Sequence, residues 1–329
     1  MTSKLRLLPA LALGAAAALT LSACGGGDSA APAGASSAGG YKLSFIQGVA
    51  GDEFYITMQC GIEAEAQKVG ATVNTQGPAK FDPTLQKPIV DSVAVTKPDA
   101  LLIAPTDVTA MGSPIKAIAS SGTKVVLVDT TLEDPSFAAS QISSDNKGGG
   151  AEAFKAIQEL SPNGGKILVM SVDPGISTTD ARVAGFEEAA KADPKFSYLG
   201  VQYSHNDPAV AAKLITAALA KDPDIVGVFA TNLFSAAGSG TGIRQAGKTD
   251  QVKLVGFDAG PDQVKQLKDG TVSALIAQDP YQIGVNGVDQ AVASLKGETV
   301  TPTIQTGFHL LTKDNIEGDG AQYVYKSAC

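Results

Sequence analysis

Residues 253–258 form a short apolar run, Lys-Leu-Val-Gly-Phe-Asp, that ends on an acid and gives way to a Gly-Pro turn and a helical pattern from about Asp262. The same arrangement recurs in runs over 43–47, 100–107, 124–129, 166–173 and 225–232, which close on Gln47, Asp107, Asp129, Asp173 and Asn232. Most of these runs lead into a helical pattern. Strands alternating with helices predict an α/β chain with a parallel sheet, and such sheets take ligands off the carboxyl ends of their strands. Topology therefore puts Asp258 at a ligand crevice, with the other strand-end polar residues as its neighbours.

Helices are predicted over 54–69, opened by Asp52-Glu53 and stopped by Gly70, and from Asp82-Pro83, which supply an N-cap and a first-turn proline. Others cover about 110–121 with Gly122 as the stop, the stretch around Arg182, and the segment from Asp207-Pro208. The last begin near Leu233 and cover 281–295. A further strand over 272–277 ends at Gln278, and the segment 303–311 follows. The stretch 142–150, with Asp145-Asn146 and three consecutive glycines, reads as a crossing between domains. The strand–helix plan then restarts at 166–170. Two serial units of similar plan predict two lobes with a cleft between them.

The 329 residues are enough for two domains, and an apolar share of 44% supports sizeable cores. The formal charge is −8, and residues 1–23 hold Lys4 and Arg6 but no acid, so the remainder is more acidic still. An acidic chain without a basic run argues against nucleic acid as partner. There is no Trp, so any aromatic platform is Phe or Tyr.

Lys4 and Arg6 precede an apolar run from Leu7 to Leu19, the pattern of a secretory signal, and the run is too short for a membrane-spanning helix. It closes on Leu21-Ser22-Ala23-Cys24, which resembles the bacterial lipobox, where cleavage precedes a cysteine that is then acylated. Residues 1–23 are thus expected to be a lipoprotein signal peptide and 24–40 a Gly/Ala/Ser-rich flexible linker from a lipidated Cys24. The alternative is an ordinary signal with a chance cysteine. Once Cys24 is lipidated, Cys60 and Cys329 remain in an oxidising exterior. They either form a disulfide that ties down the C-terminus or leave Cys60 free and buried.

Catalytic patterns are thin. His205 and His309 lie in separate segments, and Gly238-Ser239-Gly240 falls short of a nucleophile elbow. No His/Cys cluster has metal-ligand spacing, so neither metal nor cofactor is expected. Residues 242–249, Gly-Ile-Arg-Gln-Ala-Gly-Lys-Thr, match the phosphate-cradling loop letter for letter. That chemistry needs a strand before the first glycine and a helix at the Lys-Thr. Here a helical segment precedes, Gly247 reads as its stop and a strand follows, so the match is refused.

The chain resembles the ribose-type family of periplasmic sugar-binding proteins, which feed ABC importers. The resemblance runs over most of residues 41–311 and rests on the order and spacing of several motifs. These are Ala104-Pro105-Thr106-Asp107, Ser144-Asp145-Asn146, Ala181-Arg182 ahead of Gly185-Phe186, Val228-Phe229-Ala230-Thr231-Asn232, Val255-Gly256-Phe257-Asp258 with Pro261-Asp262, and Ile276-Ala277-Gln278. It implies two Rossmann-like lobes joined by three crossovers near Asp145, Gln278 and 305–308, closing on ligand by a hinge motion. The first lobe would hold 41–145 and 279–306, and the second 146–278 and 307–329.

The same resemblance implies a ligand set of Asp129, Arg182, Asn232, Asp258 and Gln278 with Phe54 and Tyr55, of which one aromatic would face the cleft and the other the core. Asp accepts twice, Arg donates a fork, and Asn or Gln does both, which suits sugar hydroxyls. An aromatic ring suits the C–H face of a sugar. Asp52 and Gln47 lie on the same rim, and Phe234 is either cleft wall or helix packing. The chain departs from the family pattern at Thr130, at Gly51-Asp52-Glu53-Phe54-Tyr55, and at Leu233-Phe234, where an acid commonly follows the Asn. These departures point away from ribose toward another monosaccharide or a smaller polyol.

The expectation is a monomeric, non-enzymatic solute receptor that hands a monosaccharide or sugar alcohol to ABC permease subunits. The lipid on Cys24 would hold it on the outer face of the bacterial cytoplasmic membrane. A sensor-side receptor and an exported sugar-modifying enzyme are the alternatives.

Overall fold

The computed structural model describes residues 40–329, so the expected signal peptide and Cys24 lie outside the described residues. No helix among those described is long and apolar enough to cross a membrane. The first sheet contains β1 (Lys42–Ile46), β2 (Thr72–Gln76), β3 (Ala100–Ile103), β4 (Lys124–Val128) and β5 (Ser140–Ser144), in the order β2-β1-β3-β4-β5. The second repeats that order with β6 (Gly165–Ser171), β7 (Phe196–Tyr203), β8 (Ile225–Ala230), β9 (Lys253–Phe257) and β10 (Ala274–Gln278), arranged β7-β6-β8-β9-β10. Two late strands complete them. β11 (Thr303–Thr306) joins the first sheet parallel to β5, and β12 (Phe308–Leu311) joins the second antiparallel to β10.

Helices α1 (Glu53–Val69), α2 (Pro83–Thr96) and α3 (Gly112–Ser120) cover the first sheet. The second carries α4 (Asn146–Leu160), α5 (Ser177–Ala192), α6 (Pro208–Lys221), α7 (Leu233–Gln245) and α8 (Pro261–Asp269). Helix α9 (Pro280–Lys296) then returns to pack on α1, β3 and β4. The chain thus passes between the sheets after β5, after β10 and between β11 and β12. The result is an α/β molecule of two lobes.

Local chemistry accounts for the helix ends. Asp52, Asp82 and Asp207 each accept a backbone N–H of the first turn, from Phe54, Thr84 and Ala209 respectively. Pro83 and Pro208 occupy positions whose N–H would be unpaired anyway. Gly70 ends α1 at φ 72°, in the left-handed region open to glycine. The phosphate-loop look-alike at 242–249 is the end of α7, where Gly247 turns at φ 65° ahead of β9.

The sequence pattern marks the central strands and passes over the edges. β1, β3, β4, β8 and β9 are buried on both faces and so read as continuous apolar runs. β2 and β7 are edge strands, half-exposed and polar in alternation, and no run betrays them. β5, read from sequence as part of a crossing, is a strand that alternates buried and half-buried residues immediately before the crossing.

Each sheet is packed on both faces. In the first lobe Phe45, Leu102 and Val126 meet Met58 and Ile62 of α1 and Ile283 of α9, while Ile46, Leu101 and Ile103 meet the α2–α3 side. In the second, Val169, Phe229 and Phe257 pack against Phe154 of α4 and Phe186 of α5. Each such side chain contributes about 1.5–3 kcal/mol on burial.

Cys60 and Cys329 are joined in a disulfide with their Cα atoms 5.3 Å apart. Of the two readings of these cysteines, the structure has the one in which a disulfide ties down the C-terminus; the expected lobe boundary alone shifts. Residues 307–329 were assigned to the second lobe, yet Lys326 N donates to Thr57 Oγ1 and Cys329 is bonded to Cys60, both on α1 of the first.

Candidate ligand-binding site

The carboxyl ends of both sheets face one another across a cavity lined by Asp52, Phe54, Tyr55, Phe81 and Asp129 from the first lobe. The second lobe and the β10 crossover contribute Val172, Ile176, Thr178, Thr179, Arg182, Asn206, Asn232, Asp258 and Gln278. The lobes also touch beside this cavity, where Val108 N donates to Gly175 O and Thr131 N donates to Ser177 Oγ.

Arg182 owes its place to close helix packing. A Cβ on Gly150 of α4 would lie 2.0 Å from Arg182 O, and one on Gly185 of α5 would lie 2.0 Å from Lys147 O, so only glycine lets α4 and α5 approach this closely. Arg182 is 3% exposed, and its guanidinium lies over the Phe257 ring, 3.7 Å from its centroid. Its Nε donates to Asn146 Oδ1 at 2.9 Å and its Nη1 to Thr231 O at 2.8 Å. A guanidinium has five N–H donors, which leaves three for the cavity.

The acids differ in what they have left to offer. Asp129 Oδ2 accepts the Tyr55 phenol at 2.7 Å. Burial pushes the Asp129 carboxyl up to about 6, against the opposing pull of Arg182 and the Tyr55 hydrogen bond. Asp52 is also raised well above the ordinary carboxylate range, by burial first and then by the charge of Asp258. Asp258 stands just past β9 at φ 78°, and its carboxylate accepts from Leu233 N, Gln278 Nε2 and Tyr325 Oη. Of about four lone-pair sites one remains, on Oδ2.

Gln278 is fixed by the same contact. Its Nε2 donates to Asp258 at 2.7 Å, and its buried Oε1 meets no donor among the described residues. An unpaired buried acceptor is unfavourable unless something supplies a donor. Asn232 caps α7 through Ser235 N and donates to Asn206 Oδ1 at 2.6 Å, so it both shapes the helix start and fixes its neighbour. Phe54 and Tyr55 pack edge to face at 5.1 Å, and both line the cavity, where a division between cleft and core was expected.

Two expected residues stand elsewhere. Gln47 is buried behind the rim, bonded to Gln59 and pressed against Gly77. Phe234 faces a broader groove along α6–α8, beside Ala212, Ala237 and Lys265, which Gly51 and Glu53 of the first lobe also border. That groove is larger, but its charged side chains Lys213, Arg244, Lys265 and Asp269 are exposed, whereas a small-molecule site holds its converging polar groups out of water. Phe81, Val172, Ile176, Thr178, Thr179 and Asn206 line the cavity without having been singled out from sequence. Phe81 follows β2 and Asn206 follows β7, the two edge strands that the apolar-run pattern passes over. The other four follow β6, Val172 and Ile176 in the loop before α5 and Thr178 and Thr179 in its first turn, and their uncharged side chains carry no sequence signal.

Residues 43–299 match the family described as periplasmic binding protein domain. The chain is 31% identical over 271 residues to the ribose import binding protein RbsB of Escherichia coli strain K12, a match covering 82% of this chain and 90% of that one. An ABC transporter solute-binding protein of Agrobacterium vitis bound with alpha-D-tagatopyranose superposes with a TM-score of 0.85 and 39% identity, over 87% of this chain and 99% of that one. A second solute-binding protein of Agrobacterium vitis, with bound D-fucose, gives 0.82 and 33%, over 87% and 100%.

Proposed function

The chain belongs to the periplasmic binding protein family, and from that premise we propose that it is the lipid-anchored receptor of an ABC importer for a monosaccharide or sugar alcohol. The observation that carries this reading is the convergence, between two lobes, of Asp129, Arg182, Asp258 and Gln278 with spare hydrogen-bonding capacity beside the rings of Phe54, Tyr55 and Phe81. Hydroxyls donate to the carboxylates and to Gln278 Oε1 and accept from Arg182, while the C–H face of the solute packs on the rings. Once the cavity is dry, a solute that leaves any of these groups unpaired is rejected.

The related proteins named above bind or import sugars and are not enzymes. Receptor action needs no chemistry. Residues from both lobes line one cavity, so a solute that touches both favours the closed arrangement by its differential affinity for it. The closed form is what the permease receives, and acylated Cys24 with the 24–40 linker keeps the monomeric receptor at the outer face of the membrane.

A melting-temperature screen of residues 41–329 against monosaccharides, sugar alcohols, nucleosides and amino acids tests the reading. Ligand at a hundredfold excess over Kd stabilises the native state by about 2.7 kcal/mol. A shift with a sugar or polyol, lost in Asp258→Ala, is expected. A response confined to amino acids or nucleosides would remove the ligand assignment. Incorporation of labelled fatty acid, lost in Cys24→Ser, tests the anchor.

A further inference from the structure

Past β12 the chain first stays on the second lobe. Asn315 Nδ2 donates to Leu310 O, Ile316 is buried, and Glu317 pairs with Lys268 of α8 at 3.1 Å. Tyr325 N donates to Ala259 O, next to Asp258. One residue later the chain is on the first lobe, where Lys326 N meets Thr57 Oγ1 and Cys329 is bonded to Cys60. The tail is therefore a fourth link between the lobes, and its far end is covalent. Tyr325 sits where it crosses.

Tyr325 does not line the cavity, yet it touches what does. Its side chain is buried at 3% exposure, and its ring meets Phe54 edge-on at 5.8 Å. Its hydroxyl accepts from Gln278 N at 3.0 Å and donates to Asp258 Oδ1 at 3.0 Å. With Gln278 Nε2 on the same Oδ1, that oxygen is saturated, so the acceptor that Asp258 offers a solute is Oδ2. With its main-chain N–H held by Tyr325 and its amide nitrogen held by Asp258, Gln278 is left presenting Oε1. Asp258 also holds a left-handed backbone conformation that a non-glycine residue keeps only when its surroundings impose it.

We propose that Tyr325 is a positioning residue for ligand binding, carried to the site by the disulfide-anchored tail. It aims Asp258 Oδ2 and Gln278 Oε1 at the solute while its ring rests on Phe54 of the opposite lobe. The proposal rests on the sugar-binding reading of the same cavity and deepens it. Tyr325→Phe keeps the ring and removes only the hydroxyl.

The test measures, in wild type and Tyr325→Phe, the affinity for whichever of D-tagatose, D-ribose and xylitol binds the wild type most tightly, and amide exchange at Leu233, whose N–H is held by Asp258 Oδ2. The expected result is a Kd raised roughly tenfold or more and faster exchange at Leu233, a residue that Tyr325 does not bond. Tyr325→Ala should weaken binding no less. A packing role alone would leave Tyr325→Phe at wild-type affinity with unchanged Leu233 exchange and impair only Tyr325→Ala, and that result overturns the proposal. Should the wild type bind none of the sugars, the sugar reading fails by itself. Leu233 exchange then decides, with faster exchange supporting the role of Tyr325 and unchanged exchange refuting it.

Discussion

Tyr55 donates its phenol to Asp129 Oδ2 at 2.7 Å, tying the first turn of α1 to the carboxyl end of β4 inside the cavity. The bond holds one carboxylate oxygen and leaves the other for a solute. Burial still dominates, and Asp129 keeps its proton up to about 6 in the folded protein.

That retention has a sign. In the unfolded chain an aspartate loses its proton near 3.9, so between about pH 4 and pH 6 the native state binds more protons. Stability contributed by this group therefore falls as pH rises through that window and is level above it, by roughly 3 kcal/mol in all. Asp52, raised by burial and by Asp258, acts in the same direction. Urea unfolding of unliganded protein at pH 4.5 and pH 7 should show the wild type losing more stability over the interval than Asp129→Asn. An equal loss in both would show that Asp129 is not the group responsible.

Arg182 makes two directed bonds at once, to Asn146 Oδ1 and to Thr231 O, while stacking on Phe257. A lysine ammonium cannot reproduce that planar fork. Arg182→Lys is expected to weaken sugar binding at least tenfold and to destabilise the unliganded protein by about 1–3 kcal/mol, since the bonded acceptors are buried. Calorimetric titration and urea unfolding read the two effects separately.

Cys329→Ser releases the tail from α1. The bridge closes a sequence separation of 269 residues, and loss of a native disulfide typically costs about 2–5 kcal/mol. Reductant should lower the stability of the wild type by a similar amount and leave Cys329→Ser unchanged.

Phe234 lies on the separate groove along α6–α8 and Gln47 behind the rim. Phe234→Ala and Gln47→Ala should therefore bind sugar within about twofold of wild type, whatever they do to stability. A tenfold loss in either would redraw the cavity wall.

What was legible in the sequence follows from burial. Central strands covered on both faces announce themselves as apolar runs, and the polar residue that closes each run marks its carboxyl end. Asp129, Asn232, Asp258 and Gln278 all became visible in this way. Edge strands β2 and β7 carry half-polar patterns, so the residues that follow them, Phe81 and Asn206, stayed hidden. Tyr325 was beyond reach for another reason. Its contacts with Asp258 and Gln278 span 67 and 47 residues, and nothing local in a tyrosine near a chain end signals them. Gln47 misled because it closes a strand as the others do, yet its side chain turns back to Gln59 instead of into the cavity.

The most direct measurement is the crystal structure of the protein grown with the best sugar or polyol from the melting screen. The expected density is one solute between the lobes, with hydroxyls on Arg182, Asp129, Asp258 Oδ2 and Gln278 Oε1 and a C–H face on the aromatic wall. A solute seated instead in the groove along α6–α8, with the cavity holding only water, would contradict the account.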